Sequence, residues 1–306
     1  SGEFPFQYQQ FRSINFDLNW GIESPRTLLS GCEMTLRLLE AGNMQLLING
    51  GTLKMAGWEE VRVEQGLAAL TPDSFQLSSL SIEPQDHKMG GSATIRSSSP
   101  VRPGRAAELR VELVDFPLEL MAGPDLGQIV EGPVSSSDRL GRIILPPQDP
   151  AALEVVLPFT GEEGQFRQTL PFMTSLATLF QESEYNSPPF SKVEGTFRHL
   201  PGESSLEDLL LQWDEKLKIS GEITIGEGSR LAGELVIHVA EKAFHSPSGP
   251  KLWMLAFEEG EGSWRTFPVT LGGSAKGPED NFNDLLRERV DELRAKANDL
   301  EQRPGP

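Results

Sequence analysis

The sequence contains a single cysteine, Cys32, among 306 residues. An internal disulfide is therefore excluded, which is consistent with a cytosolic protein and equally with a bacterial envelope protein stabilised by its own core. Cys32 lies in Ser30–Leu36, beside a strand pattern, and we expect a buried structural thiol there.

Positive charge is also scarce, with 27 Lys and Arg against 45 Asp and Glu and a net charge of −18. No cluster of Lys and Arg with interleaved aromatic residues interrupts this acidic character. Polyanions would be repelled, so we expect no nucleic-acid partner and no electrostatic docking on anionic lipid headgroups.

Signatures of catalysis and metal binding are missing. The four histidines form neither HExxH nor a close pair with metal-ligand spacing, and His238 falls on the polar face of a predicted strand. GxSxG, Walker and GxGxxG patterns are absent, and Asp280–Asp284 lacks the Gly and distant Glu of a calcium loop. We therefore expect a protein that is not an enzyme, with no catalytic residue, metal or cofactor.

No apolar run approaches the ~18 residues of a membrane-spanning helix, and no signal peptide is visible. The first residues, Ser1–Phe4, resemble a cloning remnant, so this absence settles nothing about location.

The sequence is rich in strict alternation of apolar and polar residues. In Lys216–Ile225, Leu217, Ile219, Gly221, Ile223 and Ile225 share one face, which predicts a strand with one dry side. A turn signal at 226–229 and a second alternating segment, Leu231–Val239, predict a hairpin.

A near-copy of this strand occurs earlier, at Asp86–Ile95. The following Ala107–Leu113 parallels Gly233–Val239, and the preceding Phe75–Ile82 parallels Leu206–Trp213. Three strands in the same order predict an internal repeat. We expect a first β repeat unit at 1–150, a second at 151–280 continuing the same sheet, and a C-terminal amphipathic helix and tail at 281–306.

Helix is predicted in few places. Pro171–Phe180 has the pattern of a short helix, and Phe116–Met121 that of a single helical turn. Asp280 or Asn281 can cap a helix that runs to about Gln302, with a heptad stripe at Phe282, Leu286, Val290, Leu293, Ala297 and Leu300. We expect this stripe to pack back on the sheet, to bind a helical protein partner, or to continue into a longer protein.

The predicted fold is mainly β: an elongated, strongly curved antiparallel sheet, U-shaped or sandwich-like, built from repeated one-faced strand units, with a short internal helix and a C-terminal helix. Burying one aliphatic side chain is worth roughly 1.5–3 kcal/mol, so the apolar face must be covered. A second sheet, a layer of helices or a lipid acyl chain in a trough could each cover it.

Four segments of the sequence resemble segments of the AsmA-like proteins, including TamB relatives. They are Leu77–Ile82, Lys218–Ile225, Val114–Leu120, and Phe267–Pro278 together with the helix that follows it. The resemblance covers residues 70–280 in pieces. It implies a protein of the bacterial periplasm and cell envelope, membrane-anchored in its full-length form, with a U-shaped sheet whose apolar interior carries lipids between membranes and contributes to outer-membrane homeostasis. The family offers no catalytic residues to carry over.

If a lipid groove exists, we expect the apolar faces of both repeats to line it. The candidates are Met89, Ala93, Ile95, Leu109, Val111 and Leu113 in the first repeat, and Leu217, Ile219, Ile223, Ile225, Leu235 and Ile237 in the second. The alternative is a structural or adaptor β-sandwich of the envelope that acts through protein–protein contacts.

Overall fold

The computed structural model describes residues 10–20, 27–39, 42–55, 59–85, 90–147, 152–245 and 251–301. The fold is mainly β, with 56% strand and 21% helix, and every strand pair within its compact units is antiparallel. The predicted fold class of an antiparallel β protein with a short internal helix and a C-terminal helix is confirmed.

The strands are β1 (Gln10–Trp20), β2 (Thr27–Leu38), β3 (Met44–Asn49), β4 (Thr52–Met55), β5 (Val61–Thr71), β6 (Ser74–Pro84), β7 (Ser92–Ser97), β8 (Ala107–Val114), β9 (Phe116–Pro117), β10 (Val130–Glu131), β11 (Pro133–Ser136), β12 (Gly141–Leu145), β13 (Glu154–Gly161), β14 (Gln165–Phe166), β15 (Lys192–Leu200), β16 (Glu203–Trp213), β17 (Leu217–Gly226), β18 (Arg230–Ala240), β19 (Glu258–Glu259), β20 (Trp264–Ser274) and β21 (Gly277–Asp280). The helices are α1 (Leu118–Met121), α2 (Gly123–Leu126), α3 (Pro171–Phe180), α4 (Glu241–Phe244), α5 (Lys251–Ala256) and α6 (Phe282–Glu301).

The chain forms two compact units whose segments interleave. The first contains residues 1–127, 133–160 and 197–202, and the second contains 128–132, 161–196 and 203–306. The sequence had instead suggested simple boundaries after residues 150 and 280.

The first unit is a meander in which each strand pairs with its sequence neighbour or near neighbour. β2 pairs with β1, β3 and β4, and the path continues through β5, β6, β7 and β8 to β12 and β13. Cys32, on β2, is fully buried, as predicted for a structural thiol.

The second unit has the sheet order β16-β17-β18-β20-β21, with helices against one face. The predicted hairpin is confirmed as β17 and β18, and the predicted short helix is α3. A bulge in β16 places Leu206 and Leu209 on the same buried face although they are three residues apart, with Asp208 at φ 50° between them.

The C-terminal helix is confirmed as α6, and its first half packs within the second unit. Phe282, Leu286 and Val290 are buried, Leu293 is half-buried and Ala297 is exposed. Asp280 accepts hydrogen bonds from the backbone N–H of Phe282 at 3.1 Å and of Phe172 at 2.6 Å. One carboxylate therefore caps the first turns of both α6 and α3.

The repeated strand order is present in the structure, since β6-β7-β8 and β16-β17-β18 are both antiparallel meanders. The register of the third strand differs from the expected one. Aligning the two copies in the sequence matches Val111 with Ile237. In the structure Ile95 pairs with Val111, but Ile225, the residue equivalent to Ile95, pairs with Leu231 and not with Ile237. The shorter connection between β17 and β18 causes this shift.

A glycine shared by the two copies has a structural reason in each. Gly91 has φ +97° and Gly221 has φ +141°. A Cβ atom at Gly91 would collide with the carbonyl oxygen of Asp115, and one at Gly221 with that of Glu234. The repeated motif therefore requires glycine because the neighbouring backbone approaches too closely for a side chain.

Candidate functional site

The first unit contains an apolar cavity of about 260 Å³ that is partly open to solvent. Nineteen of its twenty lining residues are apolar, and the twentieth is Glu59. The apolar lining consists of Leu53, Val61, Leu77, Leu80, Ile82, Ala93, Ile95, Leu109, Val111, Leu113, Phe116, Leu120, Met121, Ile143, Leu145, Pro146, Leu153, Val155 and Leu157. We call this cavity the aliphatic groove.

The sheet curves around the aliphatic groove. Leu53 on β4 and Val155 on β13 both line it, although five strands lie between them in the sheet. In a flat sheet these two strands would be roughly 29 Å apart at ~4.8 Å per step. Residues of one face of successive strands therefore converge on a single cavity.

The groove has a closed side and an open side. At the closed side Leu113, Phe116 and Met121 are at most 5% exposed, with Phe116 and Met121 supplied by β9 and α1. At the open side the aliphatic side chains are only half-buried, as for Ile95 and Ile143. These half-buried residues are the ones that a ligand could cover.

The structure brings together five of the six candidates from the first repeat. Ala93, Ile95, Leu109, Val111 and Leu113 all line the aliphatic groove, on β7 and β8. The sixth, Met89, lies outside the described residues. Their convergence follows from the alternation, because alternate residues of paired strands point to the same face.

The six candidates from the second repeat have a different environment. Leu217, Ile219, Ile223, Ile225, Leu235 and Ile237 are between 0% and 5% exposed. They form the core of the second unit, and a ligand would have to displace packed side chains to reach them.

Helices and aromatic rings provide the cover over this second sheet face. Phe267 of β20 contacts Phe282 of α6 with ring centroids 4.9 Å apart, and Trp213 of β16 contacts Tyr185 edge-on at 5.4 Å. Phe180 of α3 lies in the same layer and is buried. The apolar sheet face of the second unit is therefore covered by helices, one of the three arrangements named for such a face in the sequence analysis.

The remaining groove residues were not recognised in the sequence. Two further strands contribute lining residues, namely Ile143 and Leu145 of β12 and Val155 and Leu157 of β13. β12 pairs with β8 of the repeat, and β13 pairs with β12. No local signal in the sequence of β13 shows that its apolar face lines the same cavity as that of β8. In β12 the lining residues Ile143 and Leu145 flank another apolar residue, Ile144, so alternation does not identify the inward face of this strand.

Polar candidates for chemistry lie elsewhere. On the polar face of the second sheet, Ser220 Oγ and His238 Nε2 are 3.0 Å apart. Burial, reinforced by the positive charge of Lys218, lowers the pKa of His238, whose side chain is half-buried. In the described part of the chain, no three His, Cys, Asp or Glu side chains are grouped so that they could hold a metal ion.

Comparisons with protein-family models, with curated proteins and with solved structures gave no significant match. Within the described residues, no helix combines the length and hydrophobicity needed to cross a bilayer.

Proposed function

We propose that the first unit binds the aliphatic chain of a lipid or related amphiphile in the aliphatic groove. The observation that carries this proposal is the contrast between the two repeats. The apolar strand face of the second unit is covered by its own helices, whereas Ile95, Leu109 and Ile143 in the first unit face a cavity that solvent reaches. An aliphatic chain in that cavity would remove these side chains from water.

The volume of the groove favours a single chain. An engineered apolar cavity of about 150 Å³ holds benzene, which has six carbons. By proportion, about 260 Å³ holds roughly ten carbons, either a medium-length chain or the end of a longer one. Two acyl tails of a phospholipid would not fit together in this volume.

The expected affinity is modest. Ten methylene groups at ~0.8 kcal/mol each give about 8 kcal/mol, which corresponds to a Kd near 1 μM before the entropic cost of association is subtracted. We therefore expect micromolar or weaker binding.

Binding of N-dodecyl dansylamide, an uncharged fluorescent probe with a twelve-carbon chain, tests the proposal. A saturable blue shift in its emission is expected with the wild-type protein. Ile95→Asp places a charge on the groove wall and should weaken binding at least tenfold, because the chain would have to desolvate a carboxylate.

The matched control is Val114→Asp, since Val114 lies on β8, is 52% exposed and does not line the groove. It should bind the probe like the wild type, and circular dichroism should show that both variants keep their sheet. Equal binding by Ile95→Asp and Val114→Asp, or no saturable binding by the wild type, would contradict the proposal. Lipid transfer in a bacterial envelope stays an expectation from the family resemblance alone.

A further inference from the structure

We infer that Glu59 makes the aliphatic groove select amphiphiles with a cationic or uncharged polar end over those with a carboxylate. The inference rests on the proposed function and specifies its ligand class. Glu59 is the only ionisable residue among the twenty that line the groove, and it is exposed.

The polar end of an amphiphile has to lie at the open side of the groove. The closed side, around Leu113, Phe116 and Met121, contributes only apolar side chains to the lining. Burying a charged or hydrogen-bonding group there without a partner would be strongly unfavourable. The aliphatic tail therefore occupies the closed side, and the polar end faces the solvent-exposed rim.

Glu59 lies on that rim. It is two residues before Val61, and Val61 pairs with Leu53 across β5 and β4, so all three groove residues belong to one edge of the cavity. Val61 and Leu53 are half-buried, consistent with a position at the opening.

Glu59 belongs to an acidic stretch of the chain, because Glu60 follows it directly. Within the described part of the chain Glu59 has no ion-pair partner, and the nearby Arg62 is engaged by Glu83 at 2.8 Å and also by Glu64. The adjacent Glu60 is also exposed, and the whole chain carries a net charge of −18. A ligand carboxylate at this rim would meet negative charge, while an ammonium group would be attracted to it.

An exposed charge pair changes affinity by up to about fivefold, and the effect is screened by salt. We therefore expect the groove to bind an ammonium ligand more tightly than an uncharged one of equal chain length, and a carboxylate ligand more weakly. Replacing Glu59 by the isosteric Gln should reduce the ammonium-to-carboxylate affinity ratio by about fivefold.

Competition with bound N-dodecyl dansylamide tests the inference. Decyltrimethylammonium, decanol and decanoate share one chain length and are compared below their self-association concentrations, at about pH 8, where decanoate is ionised. Salt is kept near 0.1 M, where the Debye length is about 10 Å, so that charges closest to the bound ligand have the largest effect. The expected order of affinity for the wild type is ammonium, then alcohol, then carboxylate.

Glu59→Gln should narrow the ammonium-to-carboxylate ratio by about fivefold, while Glu60→Gln, which removes the same charge from a residue outside the lining, should narrow it by a clearly smaller factor. Binding of all three ligands with a ratio that Glu59→Gln leaves unchanged, or an equal change in Glu60→Gln, would overturn this inference alone. If the wild type binds neither the probe nor any of the three ligands, both the proposed function and this inference fail.

Discussion

The two repeats provide a matched pair of positions, one on the wall of the groove and one in a packed core, at which the same substitution should have different effects on stability. Ile95 and Ile225 end the same repeated motif and each pairs with an aliphatic residue on the next strand. Ile225 is 5% exposed in the core of the second unit, whereas Ile95 is half-buried on the groove wall. We predict that replacing each by Ala changes the free energy of unfolding by clearly different amounts.

Ile→Ala removes three carbon groups, worth about 2.4 kcal/mol when fully buried at ~0.8 kcal/mol each. At Ile225 a cavity term is added, which brings the expected loss into the range of about 2–5 kcal/mol. At Ile95 roughly half of the transfer term applies and no new closed cavity forms, so we expect about 1.2 kcal/mol. The difference corresponds to several degrees in Tm for a unit of this size.

Urea unfolding followed by circular dichroism and by the fluorescence of the five tryptophans measures both losses. Val236→Ala is the control, because Val236 is 36% exposed on the polar face of β18 and should cost less than about 0.5 kcal/mol. If Ile95→Ala were as destabilising as Ile225→Ala, the first unit would have a closed core and the groove argument would be refuted.

Three further substitutions test the packing. Gly221→Ala should cost more than about 2 kcal/mol in unfolding experiments, because its Cβ would strike the carbonyl of Glu234, whereas Gly226→Ala, with open space around it, should cost much less. Burial raises the pKa of Asp280, so the folded protein binds a proton at this carboxylate more tightly than the unfolded chain does. The wild type should therefore gain stability relative to Asp280→Asn as pH falls from neutral towards 4. A stability difference that does not change with pH would contradict this. Arg289→Ala should lower the free energy of unfolding by about 1–2 kcal/mol, because the Arg289 guanidinium donates a hydrogen bond to the Ala256 carbonyl at 3.1 Å and lies 4.8 Å from the Phe267 ring centroid. The control is Arg287→Ala, which should be nearly neutral because the Arg287 side chain is exposed on the same helix.

The strands and helices that depend on local pattern were predictable from the sequence. Alternation located β17 and β18, and the heptad spacing and the cap at Asp280 located α6. The shift in register between Ile225 and Leu231 was not predictable, since it depends on how many residues the connecting turn absorbs. Pairing of β8 with β12 was not predictable either, because α1, α2 and β11 separate these strands in the sequence.

For the candidate site, the sequence predicts only which residues lie on the apolar face of each strand. Alternation shows that Ile95 and Ile225 each lie on a dry face, but it carries no information about what covers that face. In the second unit, cover comes from aromatic residues distant in sequence, such as Phe180 and Phe282, whose contacts depend on the tertiary fold. The same strand motif therefore becomes core in one unit and groove wall in the other.

Ligand binding should stabilise the two units unequally. A ligand that binds only the folded groove adds RT ln(1 + [L]/Kd), about 2.7 kcal/mol at a hundredfold excess over Kd. Amide hydrogen exchange resolves where this stabilisation acts, because protected amides report local opening free energies. With N-dodecyl dansylamide bound, we expect slower exchange in β6, β7, β8, β12 and β13, which line the groove, and unchanged exchange in β17 and β18.

The Ile95→Asp variant should lose this pattern at the same probe concentration. Equal slowing in both units would mean that the probe binds apolar surface without distinguishing the groove from the covered core. Slowing in β17 and β18 alone would place the ligand beneath the helices of the second unit, at Leu217 and Ile219, and would show that this core opens to admit a chain. Selective slowing in the first unit is the expected result, because the groove leaves aliphatic side chains such as Ile95 and Ile143 half-buried, whereas Leu217 and Ile219 are fully buried.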